Sequence, residues 1–272
     1  MTVDTPFLAR QERFDVVGST NDVVRGWLAA GEPEVCLAVA DEQSAGRGRE
    51  NRAWTAPAGR ALLLSLGFRP TWLAPDRAWR LAATVGLAMA DAAEEVAFLA
   101  ERAIRLKWPN DLVIDDVAAP GSVVRKLAGV LGETDGLGTD DPRAVVGIGV
   151  NADWPASEFP PELAESMTSL REASGGRSID LPLLLDAFTA RLEVRIEALR
   201  AGRFDVADYV DRQLTNGRLV RLVGHDGRAE VVRALRVDPV GGALVVEDPS
   251  APGGERDVVS GEIRHLRLDG SV

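Results

Sequence analysis

Residues 41–54 read Asp-Glu-Gln-Ser-Ala-Gly-Arg-Gly-Arg-Glu-Asn-Arg-Ala-Trp, and the neighbouring segments are organised around them. Apolar runs at 35–40 and 61–68 lead into and out of this stretch, which predicts strand, loop and strand. Gly46 and Gly48 allow the loop backbone to approach a ligand closely. The loop also carries Arg47, Arg49 and Arg52. Arginine offers a fork of donors that suits carboxylate or phosphate, so the loop is either an anion-binding loop or a solvated basic loop.

The composition describes an ordinary globular protein. The chain has 272 residues, 46% hydrophobic and 27% charged, which is enough for one large domain or two modest ones. The formal net charge of -11 argues against general nucleic-acid binding, which needs a basic face. It leaves room for a small basic pocket that binds an anionic ligand.

The single cysteine, Cys36, excludes an intramolecular disulfide and fits a reducing compartment. Because it lies in an apolar run, a buried structural thiol is favoured over a nucleophile. We see no long apolar segment and no basic, apolar leader in the sequence. The expected location is therefore cytoplasmic, with no membrane partner.

Hydrophobic periodicity predicts an α+β protein. Long amphipathic helices are expected at 74–99 and 181–199, and a short one at 204–214. A surface loop is expected at 116–123. Strands are expected on both sides of the Trp-Pro-Asn-Asp bend at 108–111, at 125–133 and at 144–150. From residue 218 the pattern changes to short β segments, with hairpin turns at Asp226-Gly227 and Gly241-Gly242, which is typical of a small β-barrel. We therefore predict two domains, 1–214 and 215–272.

Two further features have a structural and a functional interpretation. Ser19 and Asn21 precede a helical pattern, so they either cap the helix or present polar groups to a ligand. Lys107 and Lys126 are the only lysines, and each lies in a motif-like stretch of an arginine-rich chain. A compact point charge is indicated where a guanidinium would not serve.

Taken together, the motifs resemble those of the biotin protein ligases. They occur in the family's order within 15–155: Ser19-Thr20-Asn21, Gln43, the Gly-Arg-Gly-Arg of 46–49, Lys107-Trp108-Pro109-Asn110-Asp111 and Arg125-Lys126-Leu127-Ala128-Gly129. The resemblance implies a mixed sheet flanked by helices, of the class II aminoacyl-tRNA synthetase-like type, followed by an SH3-like barrel. The catalytic motifs begin at Ser19, so a monofunctional enzyme that does not bind specific DNA is expected.

The resemblance also implies the reaction and the partners. Biotin and ATP, with Mg²⁺, would give biotinyl-5′-AMP and pyrophosphate. The acyl group would then pass to a lysine of a biotin carboxyl carrier domain. The expected oligomeric state is a monomer or a weak homodimer.

Roles follow from the same resemblance. Lys126, Arg47, Arg49 and Asp111 are expected to be catalytic. The expected biotin site comprises Ser19, Thr20, Asn21, Gln43, Gly46, Arg47, Gly48, Arg49, Lys126, Gly129, Gly147 and Gly149, the last two and Gly129 forming a slot for the ring and tail. ATP contacts are expected from Arg47, Arg49, Arg52, Trp54, Asn110, Lys126 and Asn151, and an Mg²⁺ contact from Asp111.

Two alternatives remain open on the sequence. A lipoate- or octanoate-handling ligase would share the fold and the mechanism, although the polar set around Gln43 favours a ureido ring over an alkyl chain. A non-catalytic biotin sensor would need an output module, and we see none in the sequence.

Overall fold

A computed structural model describes residues 7–116, 123–224, 227–259 and 262–265. Its centre is a seven-stranded sheet in the order β1-β2-β3-β7-β6-β5-β4. The strands are β1 Arg10–Val17, β2 Cys36–Gln43, β3 Ala61–Phe68, β4 Ile104–Lys107, β5 Asp111–Asp116, β6 Val123–Asp135 and β7 Arg143–Asn151. β1 and β2 are parallel and every other pair is antiparallel. The mixed sheet and the predicted strands are confirmed, whereas 117–122 of the predicted loop lie outside the described residues.

Helices cover both faces of this sheet. They are α1 Thr20–Ala29, α2 Trp79–Ala97, α3 Leu170–Ala173, α4 Leu181–Arg200 and α5 Val206–Asp211. Alternate residues of β2 serve the two faces, since Leu37 and Val39 join the main core while Cys36 and Ala38 pack with α1. This explains why the strand reads as a continuous apolar run.

Both long helices are confirmed, and the bounds of α2 differ from those expected at both ends. α2 begins at Trp79 and not at 74, because Pro75–Arg77 forms a short 3-10 turn before it. It ends where Phe98 adopts the left-handed conformation with φ of 53°. No helix among the described residues combines the length and the apolar character that crossing a membrane requires.

Cys36 is buried, as predicted for a structural thiol. It is 0% exposed, and its Sγ donates to the carbonyl of Pro33 at 3.0 Å. Burial raises the pKa of the Cys36 thiol to about 11. The thiolate, which is the nucleophilic form, is therefore suppressed at neutral pH.

The C-terminal segment forms a five-stranded antiparallel sheet in the order β11-β10-β9-β8-β12. The strands are β8 Leu219–Val223, β9 Ala229–Val237, β10 Leu244–Glu247, β11 Glu255–Val258 and β12 Glu262–His265. Among the described residues β11 and β12 are its two edges, so closure into an SH3-like barrel stays a prediction. The boundary at 214/215 also stays a prediction, and Asp226 of the expected hairpin lies outside the described residues.

A buried arginine connects two helices and one strand of the fold. The Arg212 side chain is 3% exposed and lies within 3.0 Å of carboxylate oxygens of Asp91, Glu94 and Asp208. Its Nη1 also donates to the carbonyl of Ile104 at 2.9 Å. Arg212 thus joins α2, β4 and α5.

We expect Arg212→Ala to lower the free energy of unfolding by about 3–5 kcal/mol, because it leaves Glu94 buried without its cation. Urea denaturation measures this loss. The control is Arg191→Ala, which removes an exposed ion pair with Glu95 and should cost less than about 1 kcal/mol. Equal losses in the two variants would contradict the structural role of Arg212.

Candidate functional site

Polar side chains at the start of α1 are joined to β2 by direct hydrogen bonds. The backbone N–H and the hydroxyl of Thr20 both donate to Oε1 of Gln43, at 2.8 and 3.0 Å. Ser19 is the N-cap residue, but its side chain makes no capping bond. Ser19, Thr20 and Asn21 are all buried. The motif therefore does not act as a side-chain cap of the helix, and its three residues instead line a cavity.

Ser65 links this polar group to the sheet, and sequence reasoning missed it. It is 0% exposed in the middle of β3, with its hydroxyl 2.7 Å from Oγ1 of Thr20 and 2.6 Å from Oδ1 of Asn21. The signal was present in the sequence as a lone polar residue in an apolar strand. A second missed residue, Glu133, accepts a hydrogen bond from Nδ2 of Asn21 at 2.5 Å. The Asn21 amide is thus fixed through both of its polar atoms.

At the other end of the cavity, two lysines face one carboxylate. Nζ of Lys126 lies 2.7 Å from Oδ1 of Asp111, and Nζ of Lys107 lies 3.8 Å from Oδ2. Lys107 and Asp111 are register partners across β4 and β5. The two lysines that stood out in the sequence therefore meet at one point.

A shift in strand pairing sets the direction of the Lys126 side chain. Residues three apart normally face opposite sides of a sheet, so Lys126 and Gly129 would point apart. The register between β5 and β6 changes between Leu112 and Val113, which places Lys126 opposite Val113 and Gly129 opposite Asp111. This bulge turns the Lys126 side chain to the face that Gly129 and Asp111 occupy.

The loop of 44–54 is folded as a short hairpin over the cavity. Arg47 and Ala53 form an isolated bridge, and the N–H of Trp54 donates to the carbonyl of Gly46 at 2.9 Å. Gly46 has no room for a Cβ, because the carbonyl oxygen of Trp54 lies against it. Gly46 therefore supports the hairpin from outside the cavity lining.

Trp54 covers two of the three glycines that were expected to form an open slot. A Cβ on Gly149 would lie 2.5 Å from its indole, and one on Gly129 would lie 3.2 Å from it. Gly147 makes room for Asn21 in the same way. Nζ of Lys126 lies 5.4 Å from the centre of the Trp54 ring, within reach of a cation–π interaction.

Arg47 does not point into the cavity as an isolated cation. Both of its terminal nitrogens donate to the carboxylate of Asp22, at 2.7 and 2.6 Å. Asp22 was a third residue that sequence reasoning did not single out. Arg52 lies 3.3 Å from Glu50 within the loop.

The predicted site residues enclose a cavity of about 320 Å³. Those that line it are Ser19, Thr20, Asn21, Gln43, Arg47, Gly48, Arg49, Arg52, Trp54, Asn110, Asp111, Lys126, Gly129, Gly147 and Gly149. Asn151 does not line it, because its side chain is buried and donates to the carbonyl of Thr168 at 3.0 Å. A second cavity of about 540 Å³ adjoins the first at Arg49, Lys107 and Asp111.

The chain is similar in sequence to known proteins. Residues 14–151 match the model of the Biotin/lipoate A/B protein ligase family. The chain is similar to a biotin--[acetyl-CoA-carboxylase] ligase of Mycobacterium tuberculosis, with 34% identity over 94% of this chain and 90% of that protein. It is also similar to the bifunctional ligase/repressor BirA of Bacillus subtilis, with 32% identity over 59% of this chain and 46% of that protein.

A solved structure shares the fold. It is a biotin protein ligase from Aquifex aeolicus in complex with biotin and ATP, with a TM-score of 0.72 and 24% identity over 97% of this chain and 100% of that chain. The matching family model and the 34% identical relative together define the class, which is that of the protein ligases. The chain belongs to the biotin/lipoate A/B protein ligase family, since the family model matches half of it and a 34% identical relative matches almost all of it.

The contact between Trp54 and β7 can be tested with a pair of glycine variants. Gly149→Ala should displace the indole and lower the free energy of unfolding by about 1–3 kcal/mol, as overpacking does. Gly132→Ala on β6 is the control, because its Cβ would meet only Ala82, at an ordinary 3.6 Å. Urea denaturation and the indole N–H resonance of Trp54 report the two effects. An unmoved resonance in Gly149→Ala would show that Trp54 does not rest on β7.

Proposed function

We propose that this protein is an ATP-dependent biotin protein ligase. It activates biotin as biotinyl-5′-AMP and transfers the acyl group to a lysine of a biotin carboxyl carrier domain. One observation carries the proposal: a single cavity joins the polar group around Thr20 and Gln43 to the Lys126–Asp111 ion pair. A ureido ring needs paired donors and acceptors at one end of such a cavity, and a reacting carboxylate needs a fixed cation at the other.

In the first step, a carboxylate oxygen of biotin attacks the α-phosphorus of ATP, and the bond from that phosphorus to the bridging oxygen of pyrophosphate breaks. We assign to Lys126 the stabilisation of the negative charge that the biotin carboxylate and the α-phosphate bring together. Its ammonium is held in place by Asp111 at 2.7 Å, so little reorganisation is needed during the reaction.

In the second step, the amine of the carrier lysine attacks the acyl carbon, and AMP leaves. The amine must lose a proton, and we assign its acceptance to Asp111, which lies beside Lys126 at the junction of the two cavities. We assign Trp54 to the adenine and Arg49, which lines both cavities, to the phosphates. Asn110 lies at the same junction and is assigned to the nucleotide; Nδ2 of Asn110 donates to the carbonyl of Val130 at 2.7 Å.

Mg²⁺ is expected with ATP, but the carboxylate predicted to hold it does not fit that role. Asp111 faces two ammonium groups, which compete with a cation for the same oxygens. Among the described residues, no group of three or more His, Cys, Asp or Glu side chains could hold a metal ion. Mg²⁺ commonly binds through substrate phosphates with only one or two carboxylates, so the nucleotide itself would carry the ion.

The test of the function is transfer to a carrier. Purified protein, biotin, ATP and a biotin carboxyl carrier domain should give a streptavidin-reactive carrier, and no signal should appear when ATP is omitted. Lipoate in place of biotin tests the main alternative, and isothermal titration should show binding of biotin but not of lipoate. An increase in carrier mass with lipoate, and none with biotin, would favour a lipoate ligase.

Lys126 tests the chemistry directly. Lys126→Ala should slow adenylate formation by about a hundredfold or more, as loss of an oxyanion-stabilising donor does. Lys126→Arg should not fully restore it, because a planar fork does not replace a point charge. Release of pyrophosphate in the presence of biotin measures the step.

Lys107→Ala is the comparison, since it removes the chain's only other lysine. Its Nζ is 3.8 Å from Asp111, so a loss at least tenfold smaller is expected. Pyrophosphate release at the normal rate from Lys126→Ala would exclude Lys126 as the catalytic cation.

A further inference from the structure

The ion pair between Arg47 and Asp22 joins the loop to α1. Nη1 and Nη2 of Arg47 each donate to a different carboxylate oxygen of Asp22, at 2.7 and 2.6 Å. This bidentate geometry is the strong and directional form of an arginine–carboxylate contact. Hydrogen bonding from Arg47 is also the main cause that lowers the pKa of the Asp22 carboxyl.

Asp22 is held in place from its own helix. It stands in the first turn of α1, where a negative charge is favoured by the helix dipole. Arg25, one turn along, donates to the same carboxylate at 2.5 Å and also lies 2.8 Å from Glu133 on β6. The carboxylate is therefore oriented on a rigid element before the loop meets it.

Arg47 in turn holds the whole hairpin. It forms the bridge with Ala53, and the N–H of Gly48, the next residue, donates to the carbonyl of Arg52 at 2.7 Å. The returning strand continues to Trp54, whose indole rests on Gly149. Fixing Arg47 therefore fixes both branches of the loop and the tryptophan at its end.

We propose that Asp22 is a positioning residue of the ligase and that Arg47 is the anchor of the loop, so that Arg47 does not serve as a cation for the phosphates. The inference rests on the proposed function and revises the role that the family resemblance implies for Arg47. Its basis is electrostatic. A guanidinium paired with a carboxylate offers little net charge to an anion, and releasing it would expose Asp22 to the incoming phosphate.

A double-mutant cycle in the ligand-free protein tests the anchor independently of any activity. Amide exchange of Gly48 and Trp54 reports the loop, since both N–H groups are bonded within the hairpin. Asp22→Ala and Arg47→Ala should each speed this exchange about three- to tenfold, and the double variant should add nothing further. The swap Asp22→Arg with Arg47→Asp should recover part of the protection, because Arg25 and the helix dipole oppose an arginine at 22.

The matched control is the bidentate pair of Arg236 and Glu255 in the C-terminal sheet. Arg236→Ala should leave loop exchange unchanged. It serves equally for the reaction assays, because this exposed pair does not line either cavity.

The reaction gives the second readout. Asp22→Ala should release biotinyl-5′-AMP several-fold faster, while adenylate formation with saturating biotin and ATP changes less than about threefold, and Arg47→Ala should speed release by a similar factor. The swap should restore retention in part. A merely structural pair would change the free energy of unfolding but leave release unaltered, and that result would overturn the proposal.

The competing role for Arg47 has a different signature. If Arg47 contacts phosphate, Arg47→Ala should slow adenylate formation by about a hundredfold at saturation, Asp22→Ala should not, and the swap should give no recovery. Absence of any adenylate from the wild-type protein would count against the proposed function, whereas the exchange cycle would still decide whether Asp22 anchors the loop.

Discussion

The site depends on the close approach of two side chains to bare backbone on β7. Asn21 occupies the space where Gly147 would carry a Cβ, and Trp54 occupies the corresponding space at Gly149. Any larger residue at these positions would push α1 or the loop away from the sheet. Glycine normally weakens the interior of a strand. Here the two glycines lower the stability of β7, but they allow α1 and the loop to reach the same cavity.

Hydrogen bonds at the start of α1 join distant parts of the chain. The start of α1 is held by Gln43 from β2, by Ser65 from β3 and by Glu133 from β6. Each of these strands lies next to another of the set or to β7 in the sheet. The polar group is buried, and buried polar groups are stable only when their donors and acceptors are paired. The network therefore fixes the wall of the cavity.

The sequence was sufficient to predict the central strands and the two long helices, because their apolar periods are regular. It was not sufficient to predict the direction of Lys126, since 125–129 carry no mark of the bulge that turns the side chain toward Asp111. Ser65 was visible only as an irregularity in an apolar strand. The three glycines expected to form a slot do line the cavity, but side chains of the protein fill the space beside them, which periodicity cannot show. Asn151 follows an apolar strand, yet its amide binds the carbonyl of Thr168.

Location, and not the number of cations, explains how a protein of net charge -11 can hold an anionic ligand. The basic appearance of the loop is misleading, because Arg47 is paired with Asp22 and Arg52 with Glu50. Positive charge is concentrated instead where Lys107 and Lys126 meet at Asp111, at the junction of the two cavities. Walls of low dielectric strengthen such a charge locally, while exposed carboxylates more than about a Debye length away contribute little. An arginine-rich chain that keeps its two lysines for this point places compact ammonium groups, and not guanidinium forks, beside the carboxylate of Asp111.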